Sequence, residues 1–261
     1  MDAAPLIERL WVGNAGRNFN YLVGCPRTGE ALVIDPLDAD LCLRTAAARS
    51  WRITQVLNTH EHSDHVGGNA AVRAATGARL LAHPRAEPRV GPIDQPLADG
   101  DAVAVGDVRL QVIEAPGHTP AHVVVFAPVQ PSLFCGDTIF NAGVGNCTRG
   151  GDPEVLFHTL QRLLVELPPQ TRLYPGHDYM QRNLAFALDR EPDNDSAQTW
   201  GERIKNEAVA PLTTLEEERG FNPFLRLHSA SLRRNLVQAG LGAAASDKAT
   251  FLALRTLRDR W

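Results

Sequence analysis

The sequence has little of several features that mark particular classes of protein. Its 26 basic residues include only two lysines and are outnumbered by 30 acidic residues, so no basic surplus indicates a nucleic-acid partner. No apolar run approaches the roughly 18 residues that suggest a membrane-spanning helix. The N-terminus lacks the basic segment and apolar segment of a secretory signal. We therefore expect no nucleic-acid partner and no membrane partner.

Disulfide signals and two common catalytic motifs are missing as well. The four cysteines form no CxxC pair and no regular framework, which in a chain of 261 residues indicates free thiols in a reducing compartment. We expect that compartment to be the cytoplasm. The chain also contains no GxSxG elbow and no P-loop, which argues against a serine hydrolase of that type and against a P-loop nucleotide enzyme.

The patterning changes along the chain. A composition of 44% apolar and 21% charged residues is typical of a globular protein. Residues 1–178 show short apolar strands interleaved with helices, whereas residues 179–261 show few β-branched runs and several helical stretches. We predict one domain over each range. The predicted helices of the second range span residues 180–190, 196–208, 213–219, 229–238 and 246–260.

The chain is rich in histidine, and the nine histidines are not scattered evenly. The segment after the predicted strand 53–58 contains His60, His62, Asp64 and His65 within six residues. Side chains two apart on an extended segment point the same way, so His60 and His62 can bind one cation. Asp64 and His65 follow where two glycines let the chain turn, so they can face a second cation.

Three more candidate ligands follow apolar strands further along. His118 lies in PGHTPAH, Asp137 in CGDTIF and His177 in PGHDY. Loops at one end of a sheet commonly assemble a site, so we assign the ligands to two metals about 3.5–4 Å apart. Metal 1 takes His60, His62 and His118; metal 2 takes Asp64, His65 and His177; Asp137 bridges them. This donor set suits two divalent ions of zinc, iron or manganese.

The other histidines carry no comparable pattern. His83, His158 and His228 are isolated and are expected to be solvated or hydrogen-bonded in loops and helices. For His122, four residues after His118, two interpretations stay open: an ordinary loop histidine, or a residue that supports a metal ligand from behind.

The segments THEHSDHVGG, PGHTPAH, CGDTIF and PGHDY resemble, in order, the metal motifs of the metallo-β-lactamase superfamily. Within it, the whole chain is similar to the glyoxalase II (hydroxyacylglutathione hydrolase) family, with NLAFALDREPDN at 183–194 and TTLEEERGFNPFLR at 213–226 as further matches. The resemblance implies an α+β fold, an αββα sandwich. It also implies that the C-terminal helical domain closes over the site and binds substrate.

The resemblance implies a hydrolase that cleaves a thioester such as S-lactoylglutathione into a 2-hydroxy acid and glutathione. A hydroxide bridging the two metals would attack the carbonyl, because metal binding can lower the pKa of water from 15.7 to about 7. Asp64 and Asp137 would be the catalytic carboxylates, Asp64 as a metal ligand first and a proton-handling group second.

The substrate contacts match the family less closely. The family loop after the bridging aspartate usually reads GCGKF or GCGKY, and here Asn146 stands where the lysine is expected. Tyr179 matches the family tyrosine, and Arg226 in NPFLR matches a C-terminal arginine. Arg149 is close enough in sequence to replace the missing lysine. The partner implied is a small thioester linked to glutathione.

Several alternatives stay open at this point. The same motifs occur in iron-dependent dioxygenases that act on glutathione persulfide, although these generally lack the C-terminal helices. A lactonase or another thioesterase would use the same metal pair with a different pocket. A non-enzymatic diiron oxygen-binding module would replace the second motif histidine by glutamate, but His62 stands there. A ribonuclease of the superfamily would need an inserted domain and a basic groove. The oligomeric state is left open.

Overall fold

Two β-sheets lie face to face at the centre of the molecule. The computed structural model describes residues 2–240 and 246–261. The first sheet has the order β1-β2-β3-β4-β5-β6, antiparallel from β1 to β3 and parallel from β3 to β6. Its strands are β1 (Leu6–Trp11), β2 (Phe19–Gly24), β3 (Glu30–Ile34), β4 (Arg52–Leu57), β5 (Arg79–Ala82) and β6 (Gln95–Pro96).

The second sheet has the order β13-β10-β9-β8-β7, with β10 and β13 parallel and the other pairs antiparallel. Its strands are β7 (Ala102–Val105), β8 (Val108–Glu114), β9 (Val123–Ala127), β10 (Ser132–Gly136) and β13 (Arg172–Pro175). A two-stranded ribbon, β11 (Ile139–Phe140) and β12 (Gly143–Val144), follows β10 in the chain.

Apolar side chains from both sheets form the central core. Tyr21 of β2 contacts Phe134 of β10 and Tyr174 of β13 edge to face, with ring centroids 5.4 and 5.6 Å apart. Ile34 and Val125 are fully buried in the same cluster. Strands β2 and β9 are buried along their whole length; β9 is accordingly apolar throughout, whereas β2 also contains the buried Asn20.

Helices cover the outer faces of both sheets. The outer face of the first sheet packs on α1 and α3, and that of the second on α5 and the C-terminal helices. The helices are α1 (Ala39–Ala48), α2 (Ser63–Val66), α3 (Asn69–Thr76), α4 (Glu87–Val90), α5 (Pro153–Glu166), α6 (Met180–Arg190), α7 (Asp195–Ile204), α8 (Leu215–Phe221), α9 (Ala230–Gln238) and α10 (Asp247–Arg260). The predicted α+β class, an αββα sandwich with a C-terminal helical region, is confirmed.

Local signals account for most element boundaries. The Asp152 side chain accepts hydrogen bonds from the first turn of α5, and Pro153 occupies its first position, where a missing N–H costs nothing. The predicted helix 213–219 begins instead at Leu215, because Thr214 and Glu217 form a capping box. Strand β1 was not predicted, since its charged Glu8 and Arg9 interrupt the apolar pattern at a sheet edge.

The structure also bears on the membrane question. Across residues 2–240 and 246–261, no helix combines the length and the apolar composition that crossing a bilayer requires.

Candidate metal centre

The topology brings the candidate ligands to one edge of the sandwich. Strands β8, β10 and β13 run in the same direction, because β8 and β10 are both antiparallel to β9 and β13 is parallel to β10. Each of these strands ends shortly before a candidate ligand: His118, Asp137 and His177 respectively. Strand β4 ends shortly before His60. The first residue of β9, Val123, lies beside this end, because its amide donates to the carbonyl of Thr59 at 2.8 Å.

The first group of ligands comprises His60, His62, His118 and Asp137, all buried. Nδ1 of His62 lies 3.1 Å from Nε2 of His60 and 3.0 Å from Nε2 of His118. Oδ2 of Asp137 lies 3.4 Å from Nε2 of His118. One potential ligand atom from each residue lies within 4.8 Å of the others, which is compact enough to bind one ion.

The second group comprises Asp64, His65 and His177. Nε2 of His65 lies 3.2 Å from Nε2 of His177, which in turn lies 3.4 Å from Oδ2 of Asp64. The Asp137 carboxylate also faces this group, with Oδ1 3.3 Å from His65 Nε2 and Oδ2 3.4 Å from His177 Nε2. All seven predicted ligands are therefore brought together, with Asp137 between the two groups.

The hydrogen bonds behind the second group indicate that a cation fits between its imidazoles. His177 donates through Nδ1 to the carbonyl of Gly16 at 2.6 Å, and His65 through Nδ1 to Asp35 at 2.9 Å. In a neutral imidazole the other nitrogen then carries a lone pair. Two lone pairs face each other across 3.2 Å, an arrangement that a metal ion stabilises.

The first group follows the same rule. His118 donates through Nδ1 to the carbonyl of Asn146 at 2.6 Å, and Nδ1 of His60 lies 3.0 Å from the Thr59 hydroxyl. Their Nε2 lone pairs both point toward His62. In addition, Oδ1 of Asp137 is buried without a hydrogen-bond partner, which is costly for a carboxylate that binds nothing. The donor set thus fits divalent metals.

The electrostatics of the centre favour metal binding at His60 and Asp137. Burial holds the pKa of His60 well below its usual range, which favours the neutral imidazole that binds metals. Burial opposes ionisation of Asp137, but His177 and His65 outweigh it and lower the pKa of that carboxyl. Burial likewise opposes protonation of His65, but Asp137 and Asp35 outweigh it and raise the pKa of His65 well above the ordinary value. A cation that binds at Nε2 of His65 therefore has to displace a proton.

Asp35 and Thr59 support the ligands from behind, and sequence reasoning missed both. Oδ1 of Asp35 accepts from the Thr59 amide at 2.8 Å, and Oδ2 accepts from the Thr59 hydroxyl at 2.6 Å and from His65 Nδ1. Because Asp35 faces Nδ1 of His65 rather than Nε2, it orients the ring rather than joining the ligands. The available sequence signal was a lone aspartate directly after an apolar strand. In the structure Asp35 follows β3 with a left-handed φ of 50°.

His122 supports Asp137. Its Nε2 accepts the Asp137 backbone N–H at 3.0 Å, and its ring stacks on that of His60 at a centroid distance of 4.8 Å. A glycine precedes Asp137 because a Cβ at Gly136, where φ is 47°, would collide with Thr59 and His122. Of the two interpretations left open by the sequence, the structure places His122 behind a ligand.

The remaining histidines lie away from the two groups. Nδ1 of His83 accepts from the amide of Arg85, which caps a short 3₁₀ turn. The ring of His158 contacts Phe157 on α5. His228 is exposed to solvent. None of the three belongs to a ligand group among residues 2–240 and 246–261.

A cavity of about 310 Å³ lies beside the second group. Tyr179 connects the two, because its ring stacks on His177 at 4.8 Å with an interplanar angle of 7°. Burial raises the pKa of Tyr179 to about 12, so its hydroxyl remains a donor at neutral pH. The lining includes two sequence-predicted contacts, Asn146 and Tyr179. The other lining residues are Phe140, Val144, Thr148, Arg182, Asn183, Arg255, Arg258, Asp259 and Trp261.

The structure does not place Arg226 at this cavity, which corrects the sequence expectation. Its guanidinium pairs with the buried carboxylate of Glu191, with Nε–Oε2 at 3.1 Å, and donates to the carbonyl of Gly220 at 2.9 Å. Arg226 therefore holds α6 against the turn after α8. Arg149 is exposed on the loop before α5 and is also absent from the cavity lining.

The C-terminal helices instead reach the site through the loop 140–146. Glu218 accepts from the Ala142 amide at 2.8 Å, and Asn222 donates to the carbonyl of Gly143 at 3.1 Å. Arg255 donates to the carbonyl of Val144 at 3.0 Å. This loop ends at the Asn146 carbonyl that orients His118, so helices distant in sequence help to position a metal ligand.

Comparisons with known proteins agree with this architecture. The pattern of the metallo-beta-lactamase superfamily matches residues 13–177, and that of the hydroxyacylglutathione hydrolase C-terminus matches residues 178–261. A hydroxyacylglutathione hydrolase of Nitrosococcus oceani is 51% identical over 98% of this chain and 100% of its own length. One of Polaromonas sp. is 48% identical over the same shares.

A solved structure shares the fold. The crystal structure of ETHE1 from Myxococcus xanthus matches 97% of this chain and 91% of its own, with a TM-score of 0.71 and 24% identity. At that identity the likeness shows the fold alone. Since the two sequence patterns together span residues 13–261 and the relatives are similar along the whole chain, the chain belongs to the metallo-β-lactamase superfamily and, within it, to the hydroxyacylglutathione hydrolase (glyoxalase II) family.

Proposed function

We propose that this chain is a metal-dependent thioester hydrolase that converts S-lactoylglutathione, or a close analogue, into a 2-hydroxy acid and glutathione. The observation that carries the proposal is a cavity lined by Tyr179 and Phe140, whose rings contact His177, one of the seven converging ligands. Relatives about half identical over the full chain are named hydroxyacylglutathione hydrolase. The reaction consumes one water and breaks the bond between the carbonyl carbon and sulfur.

We propose that the centre binds two divalent ions, which suit imidazole nitrogen and carboxylate oxygen as donors. One ion would be held by His60, His62 and His118, and the other by Asp64, His65 and His177, with Asp137 shared. Ions bound there would supply Lewis-acid activation of water and of the thioester carbonyl. Zinc, iron and manganese all match this donor set.

The protein groups around the ions have separate tasks. Asp137 stays ionised and compensates positive charge on both sides. Asp64 is half exposed, and its pKa is lowered because His65 and the Asn18 amide outweigh the effect of burial. Asn18 donates to Asp64 Oδ2 at 3.2 Å, which fixes the carboxylate while leaving it accessible to a water proton. The leaving group is a thiolate, whose conjugate thiol has a pKa of about 8.5, so no strong acid is required.

We propose that residues 1–178 form the catalytic domain and residues 179–261 the substrate-binding domain. The second range contributes Tyr179, Arg182, Arg255, Arg258 and Trp261 to the cavity. It therefore supplies all four charged residues of the lining, whereas the first range supplies the ligands. Asn146 and Tyr179 remain proposed substrate contacts.

We place the protein in the cytoplasm, as the sequence predicts. All four cysteines are free thiols; Cys25, Cys42 and Cys135 are buried and Cys147 is partly exposed. Free thiols are typical of a reducing compartment.

The test is metal analysis of the purified full chain combined with a turnover screen. We expect bound divalent metal and hydrolysis of S-lactoylglutathione at a higher kcat/KM than for other thioesters or lactones. Asp64→Ala should lower kcat by at least about 100-fold and reduce the metal-to-protein ratio, whereas His228→Ala, a matched exposed control, should do neither. Oxygen consumption with glutathione persulfide, without thioester hydrolysis, would overturn the proposal in favour of the dioxygenase.

A further inference from the structure

The loop between β1 and β2, residues 12–18, supports the second group of ligands at two points. The carbonyl of Gly16 accepts the hydrogen bond from Nδ1 of His177 at 2.6 Å. The side-chain amide of Asn18 donates to the backbone carbonyl of Asp64 at 3.0 Å and to Oδ2 of the same residue at 3.2 Å. One loop that contains none of the seven ligands therefore orients two of them.

Arg17 lies between these two supports in a backbone conformation that needs help from its surroundings. Its φ is 55°, in the left-handed region that residues other than glycine, asparagine and aspartate rarely adopt. Such a conformation persists only where surrounding contacts hold it. The side chain of Arg17 makes those contacts.

The guanidinium of Arg17 binds the residue that follows His177. Its Nε donates to the carbonyl of Asp178 at 2.8 Å, and its Nη2 donates to Oδ2 of Asp178 at 2.6 Å. The Asp178 amide in turn donates to the carbonyl of Arg17 at 2.9 Å. Asp178 is buried, and the Ala210 amide donates to the same Oδ2 at 3.2 Å. Arg17 therefore joins the loop to a fixed carboxylate directly after a metal ligand.

These contacts are directional as well as attractive. A planar guanidinium can donate to two acceptors of one residue in a fixed geometry, whereas an ammonium group is a point charge. The guanidinium of Arg17 also lies 4.8 Å from the ring centroid of Trp11, at the end of β1. Together the contacts favour one position of the guanidinium and therefore one conformation of the loop.

We propose that Arg17 is a positioning residue for the second metal ion, because it holds the loop 12–18 in the conformation that orients His177 and Asp64. This inference rests on the proposed two-ion centre and adds to it a residue that acts on one ion only. Arg17 itself contacts neither ligand; it acts through the loop and through Asp178.

The imidazoles of the first group do not depend on this loop. Outside their own group they hydrogen-bond to Thr59 and to the carbonyl of Asn146. Within residues 2–240 and 246–261, no hydrogen bond joins these imidazoles to the loop 12–18. Loss of the Arg17 side chain should therefore weaken one ion and spare the other.

The experiment measures metal affinity by competition with a chelator, with zinc as the probe. Asparagine tolerates the left-handed region, so Arg17→Asn removes the guanidinium without opposing the backbone conformation. We expect wild type to bind two ions, and Arg17→Asn to lower the affinity for one about 10- to 100-fold and to leave the other within about twofold. Arg27→Asn is the matched control, because Arg27 is also exposed and pairs with Asp107 at the end of β8 opposite the ligands.

Two further backgrounds identify the ion that is affected. In His177→Ala, which removes a ligand of the second ion, adding Arg17→Asn should change the affinity for the remaining ion less than about twofold. In His62→Ala, which removes a ligand of the first ion, the same addition should lower the affinity for the remaining ion at least about 10-fold.

Hydrogen exchange of the metal-free chains gives a measurement that does not depend on metal. The Asp178 amide donates to the carbonyl of Arg17, so it should exchange faster in Arg17→Asn than in wild type. The Val123 amide, which donates to Thr59 beside the first group, should exchange at the wild-type rate.

Arg17→Lys covers the case in which Arg17→Asn does not fold. Lysine keeps a cation beside the buried Asp178 carboxylate but cannot reproduce the two-point contact, so we expect it to weaken the same ion by a smaller factor. Equal weakening of both ions, wild-type affinity for both in the folded variants, or unchanged exchange of the Asp178 amide would each overturn the inference. Failure of the proposed function would differ, because wild type would then bind two ions and hydrolyse no thioester.

Discussion

Glu218 offers a sharp test of how the helical region is attached to the catalytic region. Its side chain projects from α8 and is fully buried beside the start of the loop 140–146. There its carboxylate accepts hydrogen bonds from Ala142, Asn141 and Asn222. Burial raises its pKa from 4.5 to about 7, although the hydrogen bonds it accepts act in the opposite direction. The perturbation is Glu218→Gln, which keeps the shape and an acceptor oxygen but cannot ionise.

The magnitude follows from linkage. A pKa raised in the folded state means that the folded protein binds the proton more tightly than the unfolded one. The resulting stabilisation is fully present below pH 4.5 and is lost as pH rises through about 7. With about 1.4 kcal/mol per pKa unit, the loss amounts to about 3 kcal/mol. Wild type should therefore lose about that much free energy of unfolding relative to Glu218→Gln between pH 4.5 and 7.5.

The assay is urea-induced unfolding followed by circular dichroism at several pH values across this range. The difference between wild type and Glu218→Gln cancels the titration of all shared groups, including the metal ligands. Glu216→Gln provides the matched control, because Glu216 is exposed in the first turn of the same helix. A difference between wild type and Glu218→Gln that stays constant with pH would refute the reasoning.

Two further predictions concern residues that sequence reasoning misplaced or missed. Arg226→Ala should destabilise the fold by about 3 kcal/mol, because it removes the cation paired with the buried Glu191 carboxylate and leaves only the hydroxyls of Ser229 and Ser231 to donate to it. The same variant should not change KM; chemical denaturation and steady-state kinetics check this, and a raised KM with unchanged stability would contradict it. Asp35→Asn should weaken metal affinity about 10- to 100-fold through His65; a competition titration with a chelator measures it, and wild-type affinity would exclude the supporting role.

The metal ligands could be predicted from sequence because their signal is local. Four of the ligands lie within six consecutive residues, namely His60, His62, Asp64 and His65. The other ligands each follow an apolar strand. The order of strands then brings them together without any further information about packing. Local residue patterning likewise located the helices of the C-terminal region to within a few residues.

The cavity could not be predicted in this way. Arg255 and Arg258 lie on α10, where arginines on an amphipathic helix look like ordinary surface residues. Arg226 was chosen because its segment matched a family pattern, yet the partner that decides its role, Glu191, lies 35 residues away. An arginine contacts substrate only if no carboxylate of the protein already pairs with it, and only the tertiary structure determines that.

The hydrogen bonds from Glu218, Asn222 and Arg255 to the loop 140–146 have a consequence for how this protein could diverge. An exchange of the helical region for one with a different substrate preference would also remove donors and acceptors that fix the Asn146 carbonyl behind His118. An exchange of the helical region would thus change substrate specificity and weaken metal binding at the same time. New substrates are more accessible through single changes on the cavity wall, such as at Arg182, than through recombination of whole domains.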